Sequence, residues 1–192
     1  DFSKLKTSDI KLNLTEVDVS SAVNTVLTLV GRLVESKPLE LINKVPADSA
    51  IVLADENRLS QILHNIIGNA IKFTESGSVE IRSQASGRFL MISISDTGIG
   101  ISAENLGTVF ESFERVDGDL DKQYPGVGLG LNISKKLVEL HGGRIQIESD
   151  FGVGTTVTFQ IPFADAEREV IPDKKPLFQN FNPVISRFAV DE

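Results

Sequence analysis

The sequence predicts an α/β domain. Segments in which apolar and polar residues alternate, as in half-buried strands, are interspersed with segments whose apolar residues recur at helical spacing. The chain has 192 residues, enough to bury a sizeable core, and its 41% hydrophobic and 24% charged residues are ordinary for a globular domain. We therefore expect one domain with an additional segment.

Charge and composition exclude several classes of protein. With 27 acidic and 19 basic residues the net charge is -8, which is unsuited to general nucleic-acid binding because phosphate neutralisation needs a basic face. The lack of cysteine excludes disulfides and cysteine-based zinc sites, and it fits a reducing compartment. The apolar runs are too short to cross a bilayer. We expect no nucleic-acid partner, no direct membrane contact and a cytoplasmic location, which is compatible with a membrane-anchored parent protein.

The first elements follow from apolar spacing. Apolar residues alternate over residues 10–19, which predicts a half-buried strand, and Ser20 is a suitable N-cap for a following helix that stops before Pro38. Residues 39–45 and 50–53 are predicted as short strands.

A second helix carries the first candidate site. Asp55 is a suitable N-cap, and apolar residues from Leu59 to Ile71 form a stripe. Asn65, Asn69 and Lys72 lie at i, i+4 and i+7, so they share a different face. Amide oxygens suit Mg²⁺ when phosphates complete its coordination, and a lysine can reach a phosphate. A solvated polar face is the alternative explanation.

The second half of the chain predicts two hairpins, a long loop and a helix. The strands of the hairpins are residues 78–84 with 89–95 and residues 144–148 with 155–162. The loop covers residues 96–130, and its length suggests a function. The helix over residues 131–141 is stopped by Gly142 and Gly143.

Glycine-rich motifs stand at both ends of the loop. The motif from Asp96 to Gly100, "DTGIG", follows a strand; its carboxylate could accept a hydrogen bond, and its glycines allow a close backbone approach. Alone it could be an ordinary turn. The motif "GVGLGL" opens the last helix, where free N–H groups favour phosphates. Its spacing fits neither the dinucleotide-binding fingerprint nor the P-loop.

Taken together, these motifs resemble the Bergerat-type ATPases, which include gyrase, the ninety-kilodalton heat-shock chaperone and the histidine kinases. "NIIGNAIKFT", "DTGIG", "VFESFERVD", "GVGLGL" and "GVGTT" resemble, in order, the N, G1, F, G2 and third glycine boxes of histidine kinases. The resemblance implies a two-layer α/β sandwich with a mixed sheet and about three helices. It covers about residues 10–163.

The resemblance also divides the chain. Residues 1–9 would be the end of the junction with a dimerisation-helix domain, and residues 10–163 would be the ATP-binding catalytic domain. Residues 164–192 would be a linker or tail toward a further domain. Because the chain begins with Asp1 rather than Met, we expect it to be a piece of a longer protein.

Roles at the phosphate end are implied residue by residue. Asn69 would bind Mg²⁺ with Asn65 close by, and Lys72 would contact a phosphate of ATP. The glycines of the G2 box would let a lid close over the phosphates; the box comprises Gly126, Gly128, Gly130 and Leu131. Val127 replaces a frequent Thr or Ser of the family, which removes one possible phosphate donor.

Roles at the base end and in the lid follow in the same way. Asp96 would accept a hydrogen bond from the adenine amino group, with Gly98 and Gly100 beside the ring. Phe73 would flank the nucleotide, and Thr155 would be a second adenine contact through water. Phe110, from the F box, would also belong to the nucleotide-binding site. Two lid cations, Arg115 and Lys122, would reach the triphosphate unless they are ordinary surface residues.

The implied activity is transfer of the γ-phosphoryl group of ATP to a histidine on a separate dimerisation domain, and onward to a response-regulator receiver domain. Neither His64 nor His141 has the acidic neighbour of a family acceptor, so both are expected to be structural or surface residues. The fragment alone should therefore not autophosphorylate.

Three alternatives remain open at this point. A gyrase-type hydrolase would carry Glu where this chain has Asn65, which cannot accept a proton at neutral pH. A serine-directed kinase of the same fold is disfavoured by the N box and by the N-terminal junction. A non-catalytic scaffold is disfavoured by the intact glycine boxes.

Overall fold

A computed structural model describes residues 10–34, 37–48, 51–107, 109–110 and 130–165. Its strands are β1 (Thr15–Asp18), β2 (Leu39–Lys44), β3 (Ile51–Ala54), β4 (Gly77–Ser86), β5 (Phe89–Asp96), β6 (Ile145–Asp150) and β7 (Gly154–Pro162). Its helices are α1 (Val19–Val30), α2 (Glu56–Phe73), α3 (Ala103–Leu106) and α4 (Gly130–Leu140), and a 3-10 turn, Gly31–Leu33, follows α1.

Among the described residues, the main sheet has five strands in the order β2-β4-β5-β7-β6. β2 runs parallel to β4, whereas the other neighbours are antiparallel, so the sheet is mixed, as predicted. β1 and β3 form a separate antiparallel pair. At one end of the sheet Asp96 lies opposite Thr155, and at the other end Phe89 lies opposite Pro162.

The core lies between one face of this sheet and the longer helices. β5 is central, and all eight of its residues are buried. One apolar cluster joins both layers, and its members include Ile92 and Ile94 of β5, Phe159 and Ile161 of β7, Val23 and Val26 of α1, Ile62 and Ile66 of α2, and Leu137 and Val138 of α4. The predicted two-layer α/β sandwich is thus confirmed.

Two local predictions were wrong at the start of the chain. The strand is shorter than residues 10–19, and Asp18 rather than Ser20 caps α1, because the Asp18 carboxylate accepts hydrogen bonds from the backbone N–H groups of Ser20 (2.9 Å) and Ser21 (3.5 Å). Val17 and Val19 are both buried, but the first is in the strand and the second is in the helix.

Side chains form hydrogen bonds with backbone groups at both ends of α2. The Asp55 carboxylate accepts a hydrogen bond from the backbone N–H of Arg58 at 3.1 Å, which confirms the predicted N-cap. At the other end Lys37 Nζ donates to the carbonyl oxygens of Ile71 (2.8 Å) and Thr74 (3.1 Å). The last carbonyls of a helix have no partner within it, so Lys37 satisfies groups that would otherwise need water.

The two histidines differ in burial. His64 is exposed on α2. His141 is 4% exposed, and its Nδ1 lies 2.7 Å from the Leu137 carbonyl oxygen. His141 is therefore a buried structural residue, which is one of the two roles expected for it. No helix in the described part of the chain is both long and apolar enough to cross a membrane.

Candidate functional site

The polar face of α2 lies against the start of α4. Asn65 Nδ2 donates to the carbonyl oxygen of Gly130 at 3.3 Å and approaches Ser134 Oγ at 3.4 Å. Ser134 Oγ in turn donates to the same carbonyl at 2.9 Å. Among the described residues only the amide nitrogen of Asn65 has a hydrogen-bond partner, so its amide oxygen can accept or ligate.

Asn69 lies one turn further along α2 and is also close to Gly130, at the start of α4. A Cβ placed on Gly130 would be 3.8 Å from Asn69 Nδ2, so the two amides and the start of α4 are neighbours. Lys72 follows, with its Nζ 4.9 Å from the centroid of the Phe73 ring. Asn65, Asn69 and Lys72 are all half-buried. The single polar face predicted from their spacing therefore exists.

Asp96 ends β5 and is only 8% exposed. Its Oδ1 accepts hydrogen bonds from the backbone N–H groups of Gly98 (2.9 Å) and Thr155 (3.3 Å). Burial raises the pKa of this carboxyl to about 6, and the two backbone donors oppose the rise. The group is thus ionised at neutral pH, and no donor within the described residues is bonded to Oδ2.

The loop after Asp96 is packed between α2 and the β6–β7 hairpin. The Ile99 N–H donates to the Phe73 carbonyl oxygen at 3.2 Å, and the Gly152 N–H donates to the Ile99 carbonyl oxygen at 2.8 Å. Gly100 has a φ of +65°, and a Cβ there would collide with the Asp150 carbonyl oxygen. Only glycine fits such a position without strain, so the loop can hold its shape beside Asp96.

Thr155 faces the same space as Asp96. It is half-buried, and its Oγ1 lies 2.9 Å from Ser149 Oγ across the β6–β7 pair. Sequence reasoning missed Ser149, because a serine in a strand carries no signal of its own.

Phe110 is held by two residues of α4. Asn132 Nδ2 donates to the Phe110 carbonyl oxygen at 2.6 Å, and Lys135 Nζ lies 5.5 Å from the centroid of its ring. Sequence reasoning missed both contacts. Leu131, also in the first turn of α4, is half-buried and packs against the core cluster.

Part of the predicted site lies outside the described residues. This holds for the remaining lid positions, namely Arg115, Lys122, Gly126, Val127 and Gly128. It also holds for the proposed junction, residues 1–9, and for residues 166–192 of the proposed tail.

Comparison with known families identifies the same region. Residues 54–165 match the family described as histidine kinase-, DNA gyrase B- and HSP90-like ATPase. This segment includes α2, the loop after β5, α4 and the β6–β7 hairpin.

Curated relatives with similar sequences are named as sensor kinases. The chain is 35% identical over 190 residues to the autoinducer 2 sensor kinase/phosphatase LuxQ of Vibrio cholerae, which covers 93% of this chain and 22% of that protein. It is 40% identical over 169 residues to the circadian input-output histidine kinase CikA of Synechococcus elongatus. This match covers 84% of this chain and 22% of that protein. The chain thus spans about a fifth of the length of these relatives.

Solved structures of histidine kinases share the fold. Full-length ShkA in complex with AMPPNP is 35% identical and superposes with a TM-score of 0.75, covering 85% of this chain and 34% of that one. The nucleotide-free catalytic domain of the histidine kinase ThkA is 27% identical and superposes with a TM-score of 0.69. This match covers 79% of this chain and 97% of that one.

Proposed function

Because this chain belongs to the family of histidine kinase-, DNA gyrase B- and HSP90-like ATPases, we propose that it binds ATP with Mg²⁺ and catalyses phosphoryl transfer to a histidine. The acceptor would be on a separate helical dimerisation domain. The phosphoryl group would then pass to a receiver domain. The relatives named as sensor histidine kinases support this branch of the family over its hydrolases.

The observation that carries the proposal is the environment of Asp96. A buried carboxylate stands at a strand end, with Oδ1 bonded to two backbone N–H groups and with no donor to Oδ2 among the described residues. It lies beside a loop in which a Cβ at Gly98 or Gly100 would collide with backbone. Oδ2 is suited to accept from an exocyclic amino group, as adenine presents. A hydrogen bond to a charged group contributes about 1.5–3 kcal/mol, which is enough to select a base.

The phosphate end has residues of the right chemistry for Mg²⁺. Asn69 and Asn65 offer amide oxygens, which are hard ligands, and their placement beside the start of α4 puts them next to the N–H groups of a helix N-terminus. Bound with ATP, the ion would neutralise phosphate charge. Asn69 would hold it, Asn65 would support it, and Lys72 would donate to a phosphate.

The same geometry argues against efficient hydrolysis. Asn65 occupies the position from which a carboxylate could activate water, and its amide is bonded to Gly130 and lies near Ser134. An amide does not accept a proton at neutral pH. Phosphoryl transfer to a histidine needs mainly positioning and charge neutralisation, which this site can supply. Alone, the chain should be inactive in autophosphorylation because the acceptor is lacking.

Titration calorimetry tests the binding step. We expect Mg²⁺-dependent binding of ATP or ADP with a Kd in the micromolar to millimolar range, about -4 to -8 kcal/mol. Asp96→Asn should reduce the affinity strongly, and His64→Ala, a change on the exposed side of α2, should leave it unchanged. The absence of heat with either nucleotide at high protein concentration would refute the proposal.

A further inference from the structure

The main sheet has a second face, which is turned away from the helices. Residues directly opposite one another on antiparallel strands point to the same side of a sheet, and successive residues alternate between its sides. Leu90, Ile92 and Ile94 of β5 belong to the core cluster, so the residues between them point to the second face. We call the centre of this face the outer strip. It consists of the β5–β7 pairs Met91–Gln160, Ser93–Thr158 and Ser95–Thr156.

The outer strip is closed to solvent. Met91 is 2% exposed and Gln160 is 1% exposed, and the serines and threonines of the strip are buried as well. Met91 nevertheless lies outside the core cluster, to which α1, α2, α4 and the β1–β3 pair contribute from the other side. Side chains as long as these would have exposed ends on an uncovered sheet. The described layer of helices therefore does not account for their burial.

The closed region is narrow. On one flank Gln84 of β4, which lies opposite Met91, is exposed. On the other flank Glu148 of β6, which lies opposite Thr156, is exposed. Neighbouring strands are about 5 Å apart, and one helix is about 10 Å wide. The strip thus has the width of a single chain segment and is too narrow to seat a whole domain.

Gln160 and Met91 indicate what a covering segment must supply. Gln160 Oε1 is buried and has no hydrogen-bond partner among the described residues. A buried acceptor without a donor is destabilising, so a segment that brings an N–H group to it is favoured. The thioether of Met91 makes favourable contacts with aromatic rings. A suitable segment therefore combines backbone or amide donors with aromatic side chains.

The described chain ends beside the outer strip. β7 ends at Pro162, two residues beyond Gln160, and Pro162 lies opposite Phe89. The N–H of the next residue, Phe163, donates to the carbonyl oxygen of Arg88 at 3.0 Å. The proposed tail, residues 166–192, thus begins close to one end of the strip.

We propose that the outer strip is the docking surface for the proposed tail of the same chain. The tail has more residues than β5 and β7 together, so it can reach along the whole strip. Its phenylalanines, Phe178, Phe181 and Phe188, supply rings for Met91, and its backbone supplies a donor for Gln160. No residue of the candidate nucleotide site takes part, so the inference is independent of the proposed function.

Engineered cysteines test the contact, because the chain has no cysteine of its own. Gln84→Cys places a thiol beside the strip, and Gln179→Cys places one between two phenylalanines of the tail. Thr25→Cys, at an exposed position of α1 on the helix side, is the matched control. With a short bismaleimide and dilute full-length chain, we expect Gln84→Cys with Gln179→Cys to link within one molecule much faster than Thr25→Cys with Gln179→Cys.

Two results of this cross-linking would overturn the inference. Equal rates for the two pairs would show that the tail has no preference for the outer strip. Links that join two molecules would show that the strip receives a second copy of the chain. Mass spectrometry separates these results, because it distinguishes an internal link from a dimer.

Met91 provides a second measurement that needs no cross-linker. It is the only methionine of the chain, so its oxidation by hydrogen peroxide can be followed by mass. Replacing Phe178, Phe181 and Phe188 together with Ser should speed the oxidation roughly tenfold or more, because burying even one phenylalanine ring changes an equilibrium by such a factor.

The control for this measurement is Leu29→Ser, at an exposed apolar residue of α1, which should leave the oxidation slow. Circular dichroism before oxidation verifies that the variants are folded. Slow, parent-like oxidation in the folded triple variant would overturn the inference, because Met91 would then be covered by something other than the aromatic residues of the tail.

Discussion

The Nε2 atom of His141 accepts a hydrogen bond from the backbone N–H of Asp55 at 3.0 Å. This contact joins the end of α4 to the start of α2, and Asn65 with Gly130 joins the start of α4 to the middle of α2. The two helices that carry the candidate phosphate site are therefore fixed to one another at two points.

The first prediction concerns His141. Replacing it with Phe leaves the buried N–H of Asp55 without an acceptor, so we expect a loss of about 1–3 kcal/mol in the free energy of unfolding. Urea unfolding followed by circular dichroism measures this. His64→Ala, an exposed change on α2, is the control, and equal stability of the two variants would contradict the assignment.

The second prediction concerns the stability effect of Asp96. Burial raises the pKa of this carboxyl from 3.8 to about 6, so its ionised form is less stable in the folded chain than in the unfolded one. The resulting cost grows as the pH rises from about 4 to 6 and is fully present above that. Asp96→Asn should thus stabilise the nucleotide-free chain at pH 8 by about 1–3 kcal/mol. A destabilised Asp96→Asn variant at pH 8 would show that the carboxylate is needed for folding.

The third prediction is a pH dependence of binding. Oδ1 of Asp96 already accepts from two backbone N–H groups, so protonation would place the proton on Oδ2, the oxygen that would accept from the amino group. ATP affinity should therefore be constant above about pH 6.5 and fall as the pH drops below 6. Calorimetry between pH 5 and 8 measures the profile. Asp96→Asn should remove the step near pH 6, and a step that persists in this variant would assign it to another group.

The fourth prediction separates metal binding from base binding. Asn69→Ala should weaken ATP more in the presence of Mg²⁺ than in its absence, because the change removes a metal ligand and no base contact. Asp96→Asn should weaken ATP similarly in both conditions. An equal loss with and without Mg²⁺ in Asn69→Ala would instead indicate that Asn69 acts through helix packing.

Local patterns in the sequence were sufficient to predict much of the fold and part of the candidate site. The period of a helix places Asn65, Asn69 and Lys72 on one face, and the predicted hairpin places Asp96 at the end of its second strand, β5. Both are short-range properties, and the structure confirms both. The Asp55 cap is local in the same sense, since its partner is three residues away.

Contacts between distant segments could not be predicted in this way. Lys37 reaches a carbonyl 34 residues away, and Asn132 reaches one 22 residues away. The partner of such a polar side chain is set by the packing of whole elements, so a window of sequence does not contain it. The prediction of the N-cap of α1 was wrong for another reason. Val19 continues the strand alternation from Val17, but it also lies four residues before Val23, at helical spacing.

The central claim is tested most directly by phosphoryl transfer with labelled ATP and Mg²⁺, with and without a helical domain that carries an acceptor histidine. We predict acid-labile label on the added domain, fastest when both are in one chain at high effective concentration, and none on this chain alone. Acid-labile label on the isolated chain that is lost on replacing His64 or His141, or rapid release of free phosphate, would contradict the account.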